Sequence, residues 1–259
     1  MGEKREKEKK DELLSAGEKK RVIQRKEKNC AQLKSLNYKI IKSLNSLLYC
    51  KLFQVNPLGE NCYVVSDETR EAVIIDCGAK SKAEFMAISQ YIEDENLHPI
   101  AHLLTHAHFD HIYGVPYVYE AYGLPPRCHA ADASLYNKMH LQVVALMGED
   151  LDREMPPLGD PIDVSAKIRF GNHVFSVFET PGHTPGGICF YEKDEKVLFS
   201  GDSLFRMSIG RTDFPGGSFN ALIGSLTSMF ATLPPDVVIY PGHGPKTTVS
   251  FELSNNPYL

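Results

Sequence analysis

Three histidines and one aspartate occupy alternate or adjacent places in a single short run, Thr105-His106-Ala107-His108-Phe109-Asp110-His111, and the apolar stretch Ile100–Leu104 leads straight into it. Such a density of imidazole and carboxylate is wasteful or repulsive unless a cation is shared among them. On extended backbone alternate residues point the same way, so His106 and His108 can face one ion. A turn at Phe109 would then present Asp110 and His111 to a second ion beside the first. The run therefore asks for a strand to hold its start, a turn to aim its end, and further donors from elsewhere in the chain.

Three later segments have the same design. Pro181-Gly182-His183-Thr184 follows the alternating run 173–179, Gly201-Asp202 follows 196–200, and Pro241-Gly242-His243-Gly244 follows the apolar run 236–240. Taken singly, a Pro-Gly-His is an ordinary turn and a Gly-Asp an ordinary cap. Beside the dense cluster they read as one set: loops at an edge of a sheet assembly, with the strands fixing position and the turns aiming side chains. His106, His108, Asp110, His111, His183, Asp202 and His243 are too many donors for one tetrahedral ion. They suit two ions that share a carboxylate, and Asp202 is the candidate for sharing. Imidazole and carboxylate accept zinc, iron or manganese.

The rest of the chain supplies the strands. Short apolar runs at 51–55, 61–66 and 71–76, separated by turn residues, predict a β-meander. A helix is expected at about 81–95, with Phe85, Ile88 and Ile92 as its buried stripe, and a strand at 100–104. Residues 113–122 and 131–147 read as helical and 126–130 as extended. Strands are expected near 168–170, 173–179, 188–192, 196–200 and 236–240, with a helix at about 218–231. Clustered strands with helices between them predict a mixed α/β (α+β) domain over residues 51–259, two sheets face to face with helices outside: a four-layer αββα sandwich.

Residues 1–50 differ in kind. They hold 14 Lys and Arg against seven Asp and Glu, while the remainder holds 14 against 26, a basic arm on an acidic body. An acidic body argues against nucleic acid as a partner, since phosphate binding needs a basic face. Residues 1–35 have too little apolar content to offset the entropy of ordering and are expected to be disordered or loosely helical. Residues 36–50 space Ile40, Leu44, Leu47 and Leu48 on one helical face. No stretch approaches the ~20 apolar residues of a membrane span. Six scattered cysteines form no Cys-x-x-Cys pair, so free thiols in a cytoplasmic setting are expected.

The segments NPLGENCYVV, IIDCGA, LLTHAHFDHIYG, ETPGHTPGG, LFSGDSLF, SIGRTDFPGG, VIYPGHGPKTT and the closing NPYL together resemble the metallo-β-lactamase superfamily, in particular its glyoxalase II-like branch of small hydroxyacylglutathione hydrolases. The resemblance spans essentially all of residues 51–259 and implies the same αββα fold. It implies that His106, His108 and His183 hold one metal ion, that Asp110, His111 and His243 hold a second, and that Asp202 bridges them. The catalytic set His106, His108, Asp110, His183 and Asp202 would act by holding two divalent ions, zinc foremost, with iron or manganese as other possibilities. Such ions bring a water from a pKa of ~15.7 towards neutrality. Two dications outweigh two aspartates and a hydroxide, so the centre stays net positive and attracts an anionic substrate. Arg211, in SIGRTDF, matches a place where glyoxalase II enzymes carry a basic residue that contacts a glutathione carboxylate; a salt bridge to Asp213 is its plainer role.

The expected activity is thus hydrolysis of a small anionic thioester such as S-2-hydroxyacylglutathione. Persulfide dioxygenases are similar too, including a GRTDF stretch, and would use one iron on His106, His183 and Asp202; lactonases and phosphodiesterases share the full donor set. Longer glyoxalase II enzymes carry a C-terminal helical domain, which the 16 residues after His243 do not provide, and Gly244-Pro245 stand where those enzymes have an acidic residue and a tyrosine. Several β-lactamases lack the bridging aspartate, which points away from that activity. Residues 131–161, with Leu141, Leu146, Met147, Met155 and Pro156, either wall the pocket as a lid or form the core of an outer helix. His98, His102, His129, His140 and His173 belong to no motif and read as structural or surface residues. Deleting residues 1–48 is expected to leave turnover unchanged, which kcat/KM of the truncated chain checks.

Overall fold

Both faces of the central strands are buried, and this dictates the layering. In β2 (Glu60–Ser66) every residue is buried. Tyr63 and Val65 point to one side, Cys62 and Val64 to the other, and the two sides belong to different apolar clusters. A strand with no polar face needs cover on both sides. The computed structural model, which describes residues 47–151 and 153–259, provides it.

The first sheet runs β1 (Tyr49–Val55), β2, β3 (Glu71–Ile75), β4 (His98–Leu103) and β5 (Pro126–Arg127), in that spatial order. The second sheet runs β13 (Thr247–Thr248), β12 (Val238–Pro241), β9 (Val197–Gly201), β8 (Ile188–Glu192), β7 (His173–Glu179) and β6 (Lys167–Phe170), with a separate hairpin of β10 (Leu204–Phe205) and β11 (Ser208–Ile209). Between the sheets lie Tyr63, Val73, Ile75 and Leu103 from one side and Phe170, Phe175, Phe190 and Phe199 from the other. Helix α1 (Lys82–Asp94) covers the first sheet with Phe85, Ile88 and Ile92; α6 (Phe219–Phe230) covers the second with Leu222, Leu226 and Met229. This is the αββα sandwich. At roughly 1.5–3 kcal/mol per fully buried large side chain, the layer between the sheets outweighs the hydrogen bonds at their edges, worth about 0.5–1.5 kcal/mol each.

Strand direction places the functional edge. β3 and β4 are parallel, so their carboxyl ends lie side by side. In the second sheet β7 is antiparallel to β8 and β8 to β9, while β12 is parallel to β9, so β7, β9 and β12 also end together. Hydrogen bonds join these ends across the sheets: Ile188 N–H donates to Thr105 O (2.9 Å), Asn61 N–H to Gly242 O (2.8 Å), and the Tyr63 hydroxyl to Pro241 O (2.7 Å).

Several expectations are corrected. Tyr49 and Cys50 belong to β1, not to an amphipathic helix; residues 1–46, with Ile40 and Leu44, lie outside the described residues. Leu48 packs against the inter-sheet cluster, so a truncation that tests the arm should end at residue 46. The turn expected at Phe109 is a helical turn, α2 (Phe109–Ile112), and Gly114 separates it from α3 (Val115–Tyr122). The helix expected at 131–147 is a 3₁₀ turn (Ala130–Asp132), α4 (Ala133–Asn137) and α5 (Met139–Met147), divided at Lys138, whose backbone leaves the helical region. Strands β10, β11 and β13 and helix α7 (Val249–Asn255) were not expected; two-residue strands have no periodicity to read. The five described cysteines are free, and among the described residues no helix is long and apolar enough to cross a membrane.

Two histidines outside the motifs have structural places. His173 faces the buried Glu192 carboxylate at 3.4 Å. His102, in the middle of β4, is fully buried with neither ring nitrogen partnered, and burial pushes its pKa down to about 3. Because the unfolded chain keeps the ordinary value of 6.5, it binds that proton first, and stability is lost as pH falls from 6.5 towards 3. His102→Leu is expected to raise Tm more at about pH 5 than at about pH 8 in thermal melts; an equal change at both would contradict the buried, neutral imidazole.

Candidate metal centre

The chain brings all seven sequence-selected donors to the edge defined by the strand ends. His106 and His108 follow β4, Asp110 and His111 lie in α2, His183 follows β7, Asp202 follows β9, and His243 follows β12. Three groups have their ligand atoms within 4.8 Å of one another: Asp76 with His106 and His111, and the two foreseen groups, His106 with His108 and His183 and Asp110 with His111 and His243. Asp202 stands between the two foreseen groups. Its carboxylate lies 3.3 Å from His111 Nε2, 3.6 Å from His183 Nε2 and 3.7 Å from His243 Nε2.

Hydrogen bonding decides which nitrogen each ring presents. His183 Nδ1 is 2.7 Å from the Arg211 carbonyl, and His243 Nδ1 is 3.2 Å from that of Leu58. A carbonyl only accepts, so both rings carry their proton on Nδ1. His111 Nδ1 meets Asp76 Oδ2 at 3.0 Å. The single proton of the Thr105 hydroxyl goes to Asp76 Oδ2 (2.7 Å), so Thr105 Oγ1 accepts from His106 Nδ1 at 3.1 Å. Four imidazoles are thereby turned with Nε2 lone pairs towards a space also faced by Asp110 and Asp202. His108 differs, presenting Nδ1 at 2.8 Å from His183 Nε2. His106 Nε2, His111 Nε2 and Asp202 Oδ1 are buried and have no hydrogen-bond partner. Converging lone pairs and carboxylate oxygens of this kind fit a pair of cations, and the Nδ1 bonds are the outer contacts that metal-binding imidazoles use.

The two groups differ electrostatically. Burial, reinforced by His111 and His183, holds His106 well below the ordinary histidine range; burial and then His183 push His108 down to about 3. Burial would also lower His111, but Asp202 and Asp110 reverse it and raise His111 well above the ordinary value; the Asp110 hydrogen bond and Asp202 likewise raise His243 against burial. Burial would raise the two carboxyls, but His111 chiefly brings Asp202 and Asp110 below the usual range. Protons and metal ions compete for such lone pairs.

The backbone leaves room for this crowding at one glycine in particular. A Cβ on Gly242 would stand 2.2 Å from Asp202 Oδ1 and 2.7 Å from His111 Cε1. Asp76 was not singled out as a site residue. Both its oxygens are used, one by Thr105 N–H and the other by the Thr105 hydroxyl and His111 Nδ1, which makes it an orienting group. The available signal is a carboxylate that directly follows the apolar run Ala72–Ile75.

A cavity of about 270 Å³ opens onto the centre, with Leu58, Phe109, Leu146, Met147 and Phe214 as its apolar wall and Arg211 at its rim. Among the described residues of the segment 131–161, only Leu146 and Met147 at the end of α5 line it. Met155 packs under α5, and Pro156 is buried with its carbonyl accepting from the Tyr136 hydroxyl. Arg211 is half exposed, grips Asp213 through two hydrogen bonds of 2.8 Å, and stacks on Phe214 with its guanidinium carbon 3.7 Å from the ring centroid. Of the roles foreseen for Arg211, the salt bridge to Asp213 is the one observed, and the side chain also lines the cavity.

The family model of the metallo-β-lactamase superfamily matches residues 55–243. The chain belongs to that superfamily. Its members are metal-dependent hydrolases, and this member contains the His/Asp clusters such chemistry needs. It is 35% identical over 212 residues to the probable metallo-hydrolase YqgX of Bacillus subtilis, covering 79% of this chain and 94% of the relative. It is 31% identical over 210 residues to the hydroxyacylglutathione hydrolase GloC of Haemophilus influenzae, covering 81% and 97%. Among solved structures, the B3 metallo-β-lactamase BLEG-1 is 37% identical with a TM-score of 0.75, covering 82% of this chain and 99% of that one. A di-iron-bound form of TTHA1623 is 38% identical with a TM-score of 0.72, covering 81% and 100%, and ETHE1 from Myxococcus xanthus 27% identical with a TM-score of 0.66, covering 81% and 83%.

Asp202→Ala in this superfamily member is expected to lose both metal ions together, because its two oxygens face both groups. Metal analysis of the purified variant checks this; one fully retained ion would contradict the shared carboxylate.

Proposed function

We propose that the protein is a dinuclear metal-dependent hydrolase that cleaves a small anionic thioester, S-2-hydroxyacylglutathione or a close analogue, to the hydroxy acid and the thiol. The observation that carries this reading is the position of Asp202 between the His106–His108–His183 group and the Asp110–His111–His243 group, its carboxylate 3.3 to 3.7 Å from Nε2 atoms of both. The 31% identity to GloC supports the substrate class. His106, His108 and His183 would hold one ion, Asp110, His111 and His243 the other, and Asp202 both, with zinc the leading candidate and iron or manganese the others. When bound, two such ions supply a nucleophile at neutral pH and polarise the substrate carbonyl.

The chain's own residues do the rest. The Arg211 and Leu58 carbonyls and the Asp76–Thr105 pair keep the imidazole lone pairs aimed, so no reorganisation is needed when substrate arrives. Leu58, Phe109, Leu146, Met147 and Phe214 shed water and receive the apolar part of the acyl group. Arg211 offers its guanidinium to the anionic end of the substrate, in exchange for the Asp213 carboxylate. The free cysteines support a cytoplasmic setting. A second reading, a mononuclear iron persulfide dioxygenase on His106, His183 and Asp202, is compatible with the likeness to ETHE1. The intact Asp110–His111–His243 group favours hydrolysis.

The deciding experiment is a substrate panel of glutathione thioester, lactone, phosphodiester, persulfide and β-lactam on protein of measured metal content; the β-lactam arm answers the likeness to BLEG-1. Two ions per chain and preferred thioester cleavage are expected; one iron with oxygen consumption would replace the hydrolase reading. Arg211→Ala is expected to raise KM about fivefold for an anionic thioester, as an exposed ion pair is worth up to ~1 kcal/mol, and to leave a neutral ester unchanged. Equal effects on both would remove Arg211 from the substrate site.

A further inference from the structure

Asp132 lies outside every motif, yet it is fully buried and its carboxylate takes three donors from two separate loops. Oδ2 accepts from Ala107 N–H at 3.0 Å and from the Thr184 hydroxyl at 2.9 Å, and Oδ1 accepts from Gly186 N–H at 2.7 Å. Ala107 separates His106 from His108, and Thr184 is the neighbour of His183. These are the three histidines of one half of the centre, and no other half shares the contact. The approach is close enough to dictate sequence: a Cβ on Gly186 would fall 2.7 Å from Asp132 Oδ1. Gln142 of α5 grips the same histidine loop, accepting from Phe109 N–H at 3.1 Å and donating to Ala107 O at 3.1 Å, and its remaining hydrogen bond goes to Leu135 O rather than to the His183 loop. The Asp110–His111–His243 half is oriented separately, through Asp76 and the Leu58 carbonyl.

We infer that Asp132 is a positioning residue that locks the His106–His108 loop to the His183 loop and so sets the cation affinity of the three-histidine half alone. This rests on the metal-centre reading proposed above. Two loops from different sheets carry the nitrogen donors of that half, and apart from strand packing further back the Ile188 N–H bond to Thr105 O (2.9 Å) ties them at their base, short of the donors themselves. One carboxylate with a donor from each loop holds that spacing to hydrogen-bond tolerance. Outer contacts of this kind typically change metal affinity by about 10–100-fold. Asp132→Asn keeps the shape, but its amide must turn an N–H₂ towards one of three donors, and that contact becomes repulsive.

The test is a zinc titration of chelator-stripped protein in competition with a chromophoric chelator, for the wild type, Asp132→Asn, Thr184→Val, His243→Ala and the Asp132→Asn/His243→Ala double variant, with thermal melts of each. Asp132→Asn is expected to weaken one ion by about tenfold or more and to leave the other as it was. The same drop should separate the double variant from His243→Ala, and Thr184→Val should show a smaller drop at the same ion. Unchanged affinity in Asp132→Asn, or an equal loss at both halves, would overturn the inference. Should Asp132→Asn lack a cooperative melt, Thr184→Val decides alone, and wild-type affinity there is the refuting result. A wild type that binds one ion would end the dinuclear reading, while the comparison at the three-histidine half would still stand or fall by itself.

Discussion

Four imidazole protons are handed to oxygens outside the centre, and almost everything else follows from that. Once Nδ1 of His106, His111, His183 and His243 is committed to Thr105, Asp76, Arg211 and Leu58, the opposite nitrogens have nowhere to turn but inward. The acceptors are themselves placed by strand ends. Thr105 and Asp76 close two parallel neighbours, β4 and β3, and Leu58 sits in the β1–β2 turn. The sandwich thus acts as a jig: its apolar middle fixes strand ends, the ends fix acceptors, and the acceptors fix rings.

Such a centre costs stability. Lone pairs and carboxylate oxygens lie buried without partners, and an unsatisfied buried group costs about 1–3 kcal/mol. Unlike charges offset some of this between His111, His243 and the two aspartates, which is why His111 and His243 are pushed up while His106 and His108 are pushed down. The surrounding aromatic layer, with Phe175, Phe190 and Phe199 fully buried, supplies the compensation.

The donors were legible because each is a chemically unusual residue shortly after an apolar run, and runs such as Val197–Gly201 and Val238–Pro241 are readable by composition alone. Fold class followed for the same reason: strands buried on both faces read as continuous apolar stretches. What was not legible is whatever depends on three-dimensional neighbours. Asp76 and Asp132 are single carboxylates whose roles lie in partners 29 and 52 residues away. The apolar face spacing of Leu47 and Leu48 fits a helix, yet the pairing of Tyr49 with Ser66 draws the adjoining residues into a sheet. The break at Lys138 and the tiny β10–β11 hairpin answer to packing and carry no periodic mark.

The end of α5 contributes Leu146 and Met147 to the cavity wall, and α5 belongs to the connection between the two sheets rather than to any donor-bearing strand end. The same connection thus meets the centre in two ways: its Leu146 and Met147 wall the cavity, while its Asp132 and Gln142 hold the His106–His108 loop. A change at Leu146 or Met147 can reshape the cavity without removing any donor, whereas a change at Asp132 or Gln142 bears on the donors themselves.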